Sequence, residues 1–103
     1  MSILGDWDVT IRTPVGSLRV VYGFSLENGV LTGEAVGKHE TVRCVDIVAD
    51  GGGDGQHVRW RQTVTKPMKL NLEFDVQVDG DRLSGHSRAG RLPRSTVTGT
   101  RRR

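Results

Sequence analysis

The side chains that could do chemistry are few and widely spaced in this chain. Its three histidines, His39, His57 and His86, show no helical H-x-x-x-H spacing, and no cluster of carboxylates surrounds them. Metal ligands usually occur in closely spaced groups, so we expect no metal site. The chain also lacks a Ser/His/Asp order of the hydrolase kind and a glycine-rich phosphate loop. The sequence therefore predicts no metal and no cofactor, and leaves catalysis an open question.

Three polar side chains, Tyr22, Gln62 and Ser87, fall on faces that are otherwise apolar. Each could hydrogen-bond a ligand inside the protein, and each could equally pair with buried backbone. Tyr22 is the best single candidate for a catalytic residue, because a phenol in an apolar interior can orient a ligand or act as a weak acid. The single cysteine, Cys44, is interpreted as an inert thiol, because no depressed pKa can be argued for it.

These residues must be positioned by β-strands, because alternation with a period of two dominates the chain and no window shows sustained helical periodicity. The alternating segments predict strands at 5–12, 17–26, 30–37, 41–49, 56–64, 68–78, 82–89 and 94–101. Asn28-Gly29 and Asp79-Gly80 are typical of hairpin turns. The region 41–49 is ambiguous, because both of its faces carry valine or isoleucine.

An internal repeat organises these strands. The sequence pattern of segment 14–33 recurs at 67–85, and the alignment of the two copies matches Tyr22 with Phe74. Upstream of the repeat, Trp7 aligns with Trp60. Two copies of a four-strand unit predict an eight-stranded antiparallel sheet, and short turns favour its closure into an up-and-down β-barrel. We therefore expect one all-β domain over residues 1–103.

Bulk properties narrow the class of protein further. The net charge is +3, and three arginines end the chain at 101–103. A basic tail can bind nucleic acid, but a solvated terminus is favoured, and the strands lack exposed aromatic residues that would stack on bases. With one cysteine, no signal-like segment and no apolar run of membrane-spanning length, the expected location is the cytoplasm.

Four short motifs resemble the calycin barrels, the group of lipocalins and avidins. Residues 5–7 read G-x-W, 13–16 read T-P-x-G, 31–33 read L-T-G and 98–101 read T-G-x-R. The same motifs resemble short bacterial barrel modules along nearly the whole chain. The resemblance implies that Arg101 lies over Trp7 in a cation–π contact that closes the base of the barrel.

The interior could be hollow or filled. Predicted inward residues are large on three strands and small on three others, which is compatible with a cavity. The small residues could instead seat the aromatic side chains. If a cavity exists, its ligand-binding residues are Tyr22, Phe24, Trp60, Gln62, Phe74 and Ser87.

The two ends of the predicted barrel differ in charge, since turns of an up-and-down barrel alternate between them. One end carries acidic turn residues and both termini, and the other end is basic. If the terminal end is closed, the basic end is open and would attract a carboxylate, a phosphate or an enolate. The turn charges could equally be solvated without any binding role. The residues predicted at this basic mouth are Lys38, His39, Lys66 and Arg91.

Three functions remain open at this point. The first is binding of a small, largely apolar ligand, either neutral or anionic, in the barrel. The second is a cofactor-independent isomerase, cyclase or lyase that shapes a flexible substrate. The third is a filled barrel that acts as an oligomerisation module. A homodimer would be favoured if outward valines form its interface, and the candidates are Val21, Val36, Val42, Val48 and Val58.

Overall fold

The computed structural model describes residues 3–14, 16–52, 55–65 and 69–102. The fold is all-β, and each of its eight strands pairs antiparallel with the next until β8 returns to β1 and closes a barrel. This order confirms the predicted eight-stranded up-and-down barrel. The strands are β1 (Gly5–Thr13), β2 (Gly16–Glu27), β3 (Val30–Val36), β4 (Thr41–Gly52), β5 (Gly55–Val64), β6 (Leu70–Asp79), β7 (Arg82–Arg88) and β8 (Ser95–Arg101).

Along each strand, alternate side chains face the interior of the barrel, and the strand register brings these inward residues together. Trp7 on β1 pairs with Tyr22 on β2 and with Arg101 on β8. Phe74 on β6 pairs with Trp60 on β5. All of these except Arg101 are buried almost completely. The alternation that predicted the strands is thus the pattern of a sheet with one apolar inner face and one polar outer face.

A β-bulge explains why β4 carried apolar residues on both faces. Val45 pairs with Arg61 and Val48 pairs with Arg59, so β4 uses one residue more than β5 over this step. The backbone of Asp46 has a positive φ of 52° within the bulge. One extra residue reverses the inward and outward order of a strand. Cys44 therefore faces the core before the bulge, and Ile47 packs against the core after it.

Two of the predicted outward valines were assigned to the wrong face. Val58 is completely buried, because it shares the inner face of β5 with Trp60. Val42 is partly buried against the core, because it precedes the bulge on β4. Val36 and Val48 do face outward, with 42% and 43% of their surfaces exposed. Leu26, Val30 and Val45, which were not among the predicted outward residues, are exposed as well.

The repeat places equivalent glycines at equivalent positions in the two halves. Gly33 pairs with Phe24, and Gly85 pairs with Val76 at the aligned position of the second half. A Cβ atom added to Gly33 would lie 2.7 Å from the Phe24 ring. A Cβ atom added to Gly85 would lie 2.0 Å from the carbonyl oxygen of Asp75. Gly33 is therefore required by the close approach of the Phe24 ring, and Gly85 by the close approach of the β6 backbone.

Gly85→Ala is expected to lower the free energy of unfolding by at least about 2 kcal/mol, because backbone of β6 must move to accept the methyl group. Gly37→Ala is the matched control, since its Cβ would meet no atom closer than the carbonyl oxygen of Glu40 at 3.5 Å. The control should change stability by less than about 1 kcal/mol. Urea denaturation followed by tryptophan fluorescence measures both, and equal effects of the two substitutions would contradict the close approach at Gly85.

Candidate functional site

Four aromatic side chains fill the middle of the barrel. The rings of Trp60 and Phe74 are stacked with centroids 4.9 Å apart, and Tyr22 and Phe24 are stacked at 6.0 Å. The two pairs meet through Tyr22 and Trp60 at 5.5 Å and through Phe24 and Trp60 at 5.3 Å. Centroid distances in this range are those of favourable aromatic contacts. We call these four residues the aromatic layer.

Gln62 joins the aromatic layer through a single oxygen. Its Oε1 accepts hydrogen bonds from the Tyr22 hydroxyl at 2.9 Å and from the Trp60 indole nitrogen at 3.0 Å. An indole N–H can only donate, so the atom it meets must be the amide oxygen and not the amide nitrogen. Burial raises the pKa of Tyr22 well above its usual value of 10.0. The phenol therefore acts as a neutral hydrogen-bond donor that holds Gln62 in place.

A cavity of about 590 Å³ lies between the aromatic layer and the basic end of the barrel. Gln62, Ala35 and Val42 line it from three neighbouring strands. Its opening is bordered by the turn at 37–40 and by Leu18, of which 57% is exposed although the sequence predicted it to face inward. We call this space the mouth cavity. The remaining lining residues are Ser17, Arg19, Val20, Gly37, Lys38, His39, Glu40 and Val64.

The amide nitrogen of Gln62 faces the mouth cavity and makes no hydrogen bond within the described part of the chain. Only 4% of the Gln62 surface is exposed, and both of its side-chain hydrogen bonds are accepted by Oε1. Among the described residues, every completely buried polar side-chain atom has a hydrogen-bond partner. Nε2 makes no hydrogen bond to a described residue, so it must lie on the solvent-reached wall of the mouth cavity. It offers two N–H donors there.

The rim of the mouth cavity carries Lys38 and His39 on a fixed turn. The turn is closed by a hydrogen bond of 2.9 Å from the Gly37 nitrogen to the Glu40 carbonyl oxygen. The Glu40 carboxylate accepts hydrogen bonds from the backbone nitrogen and the hydroxyl of Thr65, at 2.9 Å and 2.6 Å. These contacts tie the β3–β4 turn to the end of β5. Lys38 and His39 are both exposed at this rim.

The other two residues predicted for the basic mouth have different outcomes. Arg91 is exposed in the turn between β7 and β8, at the same end of the barrel, but it does not line the mouth cavity. Lys66 lies outside the described residues. Arg19 on β2 lines the cavity instead and adds a positive charge to its border. Its outward position in the alternation of β2 hid this role in the sequence.

The opposite end of the barrel is closed by the N-terminal segment and β8. The guanidinium carbon of Arg101 lies 4.4 Å from the centroid of the Trp7 ring. Arg101 also donates hydrogen bonds to the Asp81 carboxylate at 3.0 Å and to the carbonyl oxygen of Leu4. The Trp7 indole nitrogen donates to the carbonyl oxygen of Ile3 at 2.8 Å, and Ile3 is 1% exposed. Among the described residues, these contacts cover the terminal end of the barrel interior.

The remaining ligand-binding candidates lie outside the mouth cavity. The rings of Phe24, Trp60 and Phe74 pack against one another in the aromatic layer. Ser87 is buried on β7 opposite Phe74 and is not part of the cavity lining. Of the six predicted residues, the structure brings Gln62 alone to the cavity wall, with Tyr22 directly behind it.

Sequence reasoning missed the apolar wall residues and the ionic contacts of the surface. Ala35 was not assigned to a site, because nothing in alternation shows where a barrel stops being filled, and Val42 was assigned to the outer face of the sheet. On the outer face, His57 Nε2 lies 2.5 Å from Asp75 Oδ1, and Arg61 pairs with Asp46. The pair of His57 and Asp75 could have been predicted from the sequence once β5 and β6 were known to be neighbours, because oppositely charged residues often pair across adjacent strands.

The histidines belong to no metal-binding cluster among the described residues, and the cysteine there is a buried thiol. No group of three or more His, Cys, Asp or Glu residues in that part of the chain is placed to hold a metal ion. Burial raises the pKa of the Cys44 thiol to about 12. That thiol stays protonated at neutral pH and is a poor nucleophile. The described residues also contain no helix that is long and apolar enough to span a membrane.

Arg101→Met is expected to lower the free energy of unfolding by about 2–4 kcal/mol, because it leaves Asp81 and the Leu4 carbonyl without a charged donor. Arg102→Met is the matched control, since Arg102 pairs with Asp8 at 3.2 Å while 54% of its side chain is exposed. The control should cost less than about 1 kcal/mol. Thermal and urea denaturation compare the variants, and a loss no larger for Arg101→Met would contradict a structural role for Arg101.

Comparison of the chain with protein-family models, with curated proteins and with solved structures found no match. The closed antiparallel barrel is consistent with a calycin-like fold. Among the described residues, the mouth cavity and the aromatic layer beneath it are the features that bear most directly on function.

Proposed function

We propose that this protein binds a small, largely apolar molecule with an anionic group in the mouth cavity. The observation that carries the proposal is an apolar cavity of about 590 Å³ set between a filled barrel interior and a basic rim. Sites for small ligands usually have a volume of about 300–1,000 Å³, apolar walls and a few placed polar groups. Burial of the ligand's apolar surface supplies the main favourable term.

The charges at the rim favour an anionic ligand. Lys38 and Arg19 are positive at neutral pH, while the carboxylate of Glu40 is engaged by Thr65. The border therefore carries two positive side chains against the one carboxylate of Glu40, and this excess of positive charge attracts an anionic group. An anionic group at the rim would remain partly hydrated and would not have to be buried.

A filled barrel that serves as an interaction module is the second candidate. It is favoured by the aromatic layer, which leaves no space for a ligand between Trp60 and Phe74. In that case the mouth cavity would be a surface depression without a specific occupant. Ligand binding and its dependence on the cavity walls separate the two candidates.

Catalysis is not part of the proposal. The Tyr22 hydroxyl, which was the best catalytic candidate, donates to Gln62 and has a raised pKa because it is buried. A tyrosine that acts as a general acid near neutral pH needs a pKa below its usual value.

We further propose a calycin-like ancestry for the barrel, which is supported by the G-x-W start of β1 and the position of Arg101 over Trp7.

Val20→Trp is expected to weaken binding of 8-anilino-1-naphthalenesulfonate at least tenfold, because the indole would occupy the mouth cavity that Val20 lines. This probe combines apolar rings with an anionic sulfonate, and its fluorescence rises in apolar sites. Val36→Trp, on the outer face of β3, is the control and should leave binding unchanged. Saturable binding that survives Val20→Trp would place the probe elsewhere and contradict the proposal.

Lys38→Gln is expected to weaken binding of the same probe about threefold at low ionic strength, because it removes a positive charge from the rim. The effect should shrink as salt is added. Arg82→Gln makes the same change of net charge at the opposite end of the barrel, where β7 begins, and should have no effect. Equal losses in the two variants would mean that overall charge, rather than the rim, attracts the probe.

A further inference from the structure

The free amide nitrogen of Gln62 narrows the class of ligand. Resting on the proposed function, we propose that the occupant of the mouth cavity carries a neutral carbonyl oxygen at its buried end, which accepts a hydrogen bond from Gln62 Nε2. An apolar segment then follows along the cavity walls, and an anionic group lies at the rim near Lys38. The ligand class is therefore an apolar molecule with a carbonyl at one end and an acid at the other.

Hydrogen bonds from Tyr22 and Trp60 fix the orientation of the Gln62 amide. Rotating the amide by 180° would bring its NH₂ group against the indole N–H of Trp60, which can only donate. It would also take away the acceptor of the Tyr22 hydroxyl, 2.9 Å away. Leaving a buried donor unpaired costs roughly 1–3 kcal/mol, so the donors of Nε2 stay directed at the cavity. The cavity wall thus presents a donor and selects an acceptor.

The buried acceptor should be neutral, because the deep end of the cavity holds no charge to compensate an anion. Among the described lining residues, the positive side chains are Arg19 and Lys38, which are exposed at the border. Burying a carboxylate against one neutral amide would cost several kcal/mol of hydration that a single hydrogen bond cannot return. The hydration lost by a ketone, ester or amide oxygen is much smaller, and a single hydrogen bond can offset it.

The middle of the cavity should hold an apolar segment. Between Gln62 and the rim, the walls are formed by Val20, Ala35, Val42 and Val64, which offer no polar side-chain atom. A polar group placed against them would lose its hydration without compensation. Spacing along the ligand is therefore part of its recognition.

Two fatty acids of equal length test the inference in the unmodified protein. Decanoate supplies the apolar chain and the anionic group, and 9-oxodecanoate adds a ketone near the far end. Isothermal titration calorimetry should find that 9-oxodecanoate binds about three- to tenfold more tightly, which is the usual net effect of one hydrogen bond. In ¹H–¹⁵N spectra, the side-chain amide signals of Gln62 should move with 9-oxodecanoate and far less with decanoate.

Gln62→Met should abolish the preference for 9-oxodecanoate, because the thioether has the length of the amide but no donor. The affinity ratio of the two acids is measured within one variant, so a loss of stability from the unpaired Tyr22 and Trp60 donors cancels out. Gln77→Met is the matched control, since Gln77 is exposed on β6 and does not line the mouth cavity. It should keep the wild-type ratio.

The possible failures are distinguishable. If both acids bind equally and the Gln62 signals do not move, the carbonyl proposal is overturned while ligand binding in the mouth cavity stands. A preference that persists in Gln62→Met overturns it as well. If neither acid binds the wild-type protein, the proposed function is contradicted and the carbonyl proposal falls with it.

Discussion

The indole N–H of Trp60 and the hydroxyl of Tyr22 share one oxygen of Gln62, and the centre of the barrel is organised by this shared acceptor. Both donors are deeply buried, so without Gln62 each would lose roughly 1–3 kcal/mol of hydrogen bonding. The two bonds fix the aromatic rings relative to β5, and through ring contacts they fix Phe24 and Phe74. The same two hydrogen bonds orient the Gln62 amide. They therefore hold the aromatic rings together and also direct the amide nitrogen at the mouth cavity.

The two ends of the barrel follow different physical rules. At the terminal end, Arg101 covers Trp7 and binds the carbonyl oxygen of Leu4, so charge, aromatic surface and backbone are all satisfied within the chain. At the basic end, small and medium apolar residues such as Ala35 and Val42 leave space that the aromatic layer does not reach. The glycines at the repeat positions of β3 and β7 let strands and rings approach closely in the middle. In the described part of the chain, the terminal end of the barrel is covered, its centre is filled, and the mouth cavity lies towards the basic end.

Alternation and turn residues predicted the strands well, because a closed sheet with one apolar face imposes a period of two on every strand. The bulge at Asp46 could not be read in this way, since a single extra residue reverses the inner face of β4 without a glycine or proline to mark it. The position of Arg101 over Trp7 followed from resemblance rather than from any pattern within the chain. Gln62 was recognised as a polar residue on an apolar face, but its two partners come from β2 and its own strand. Such a contact depends on ring packing, which sequence patterns do not determine.

A crystal structure of the protein with 9-oxodecanoate is the most direct measurement of the central claim. We expect density for one ligand in the mouth cavity, with the ketone oxygen at hydrogen-bond distance from Gln62 Nε2 and the carboxylate near Lys38. The rings of Tyr22, Phe24, Trp60 and Phe74 should keep their present contacts. A ligand inserted between these rings, or bound on the outer face of the sheet, would contradict the claim that the barrel is filled at its centre and binds at its basic end.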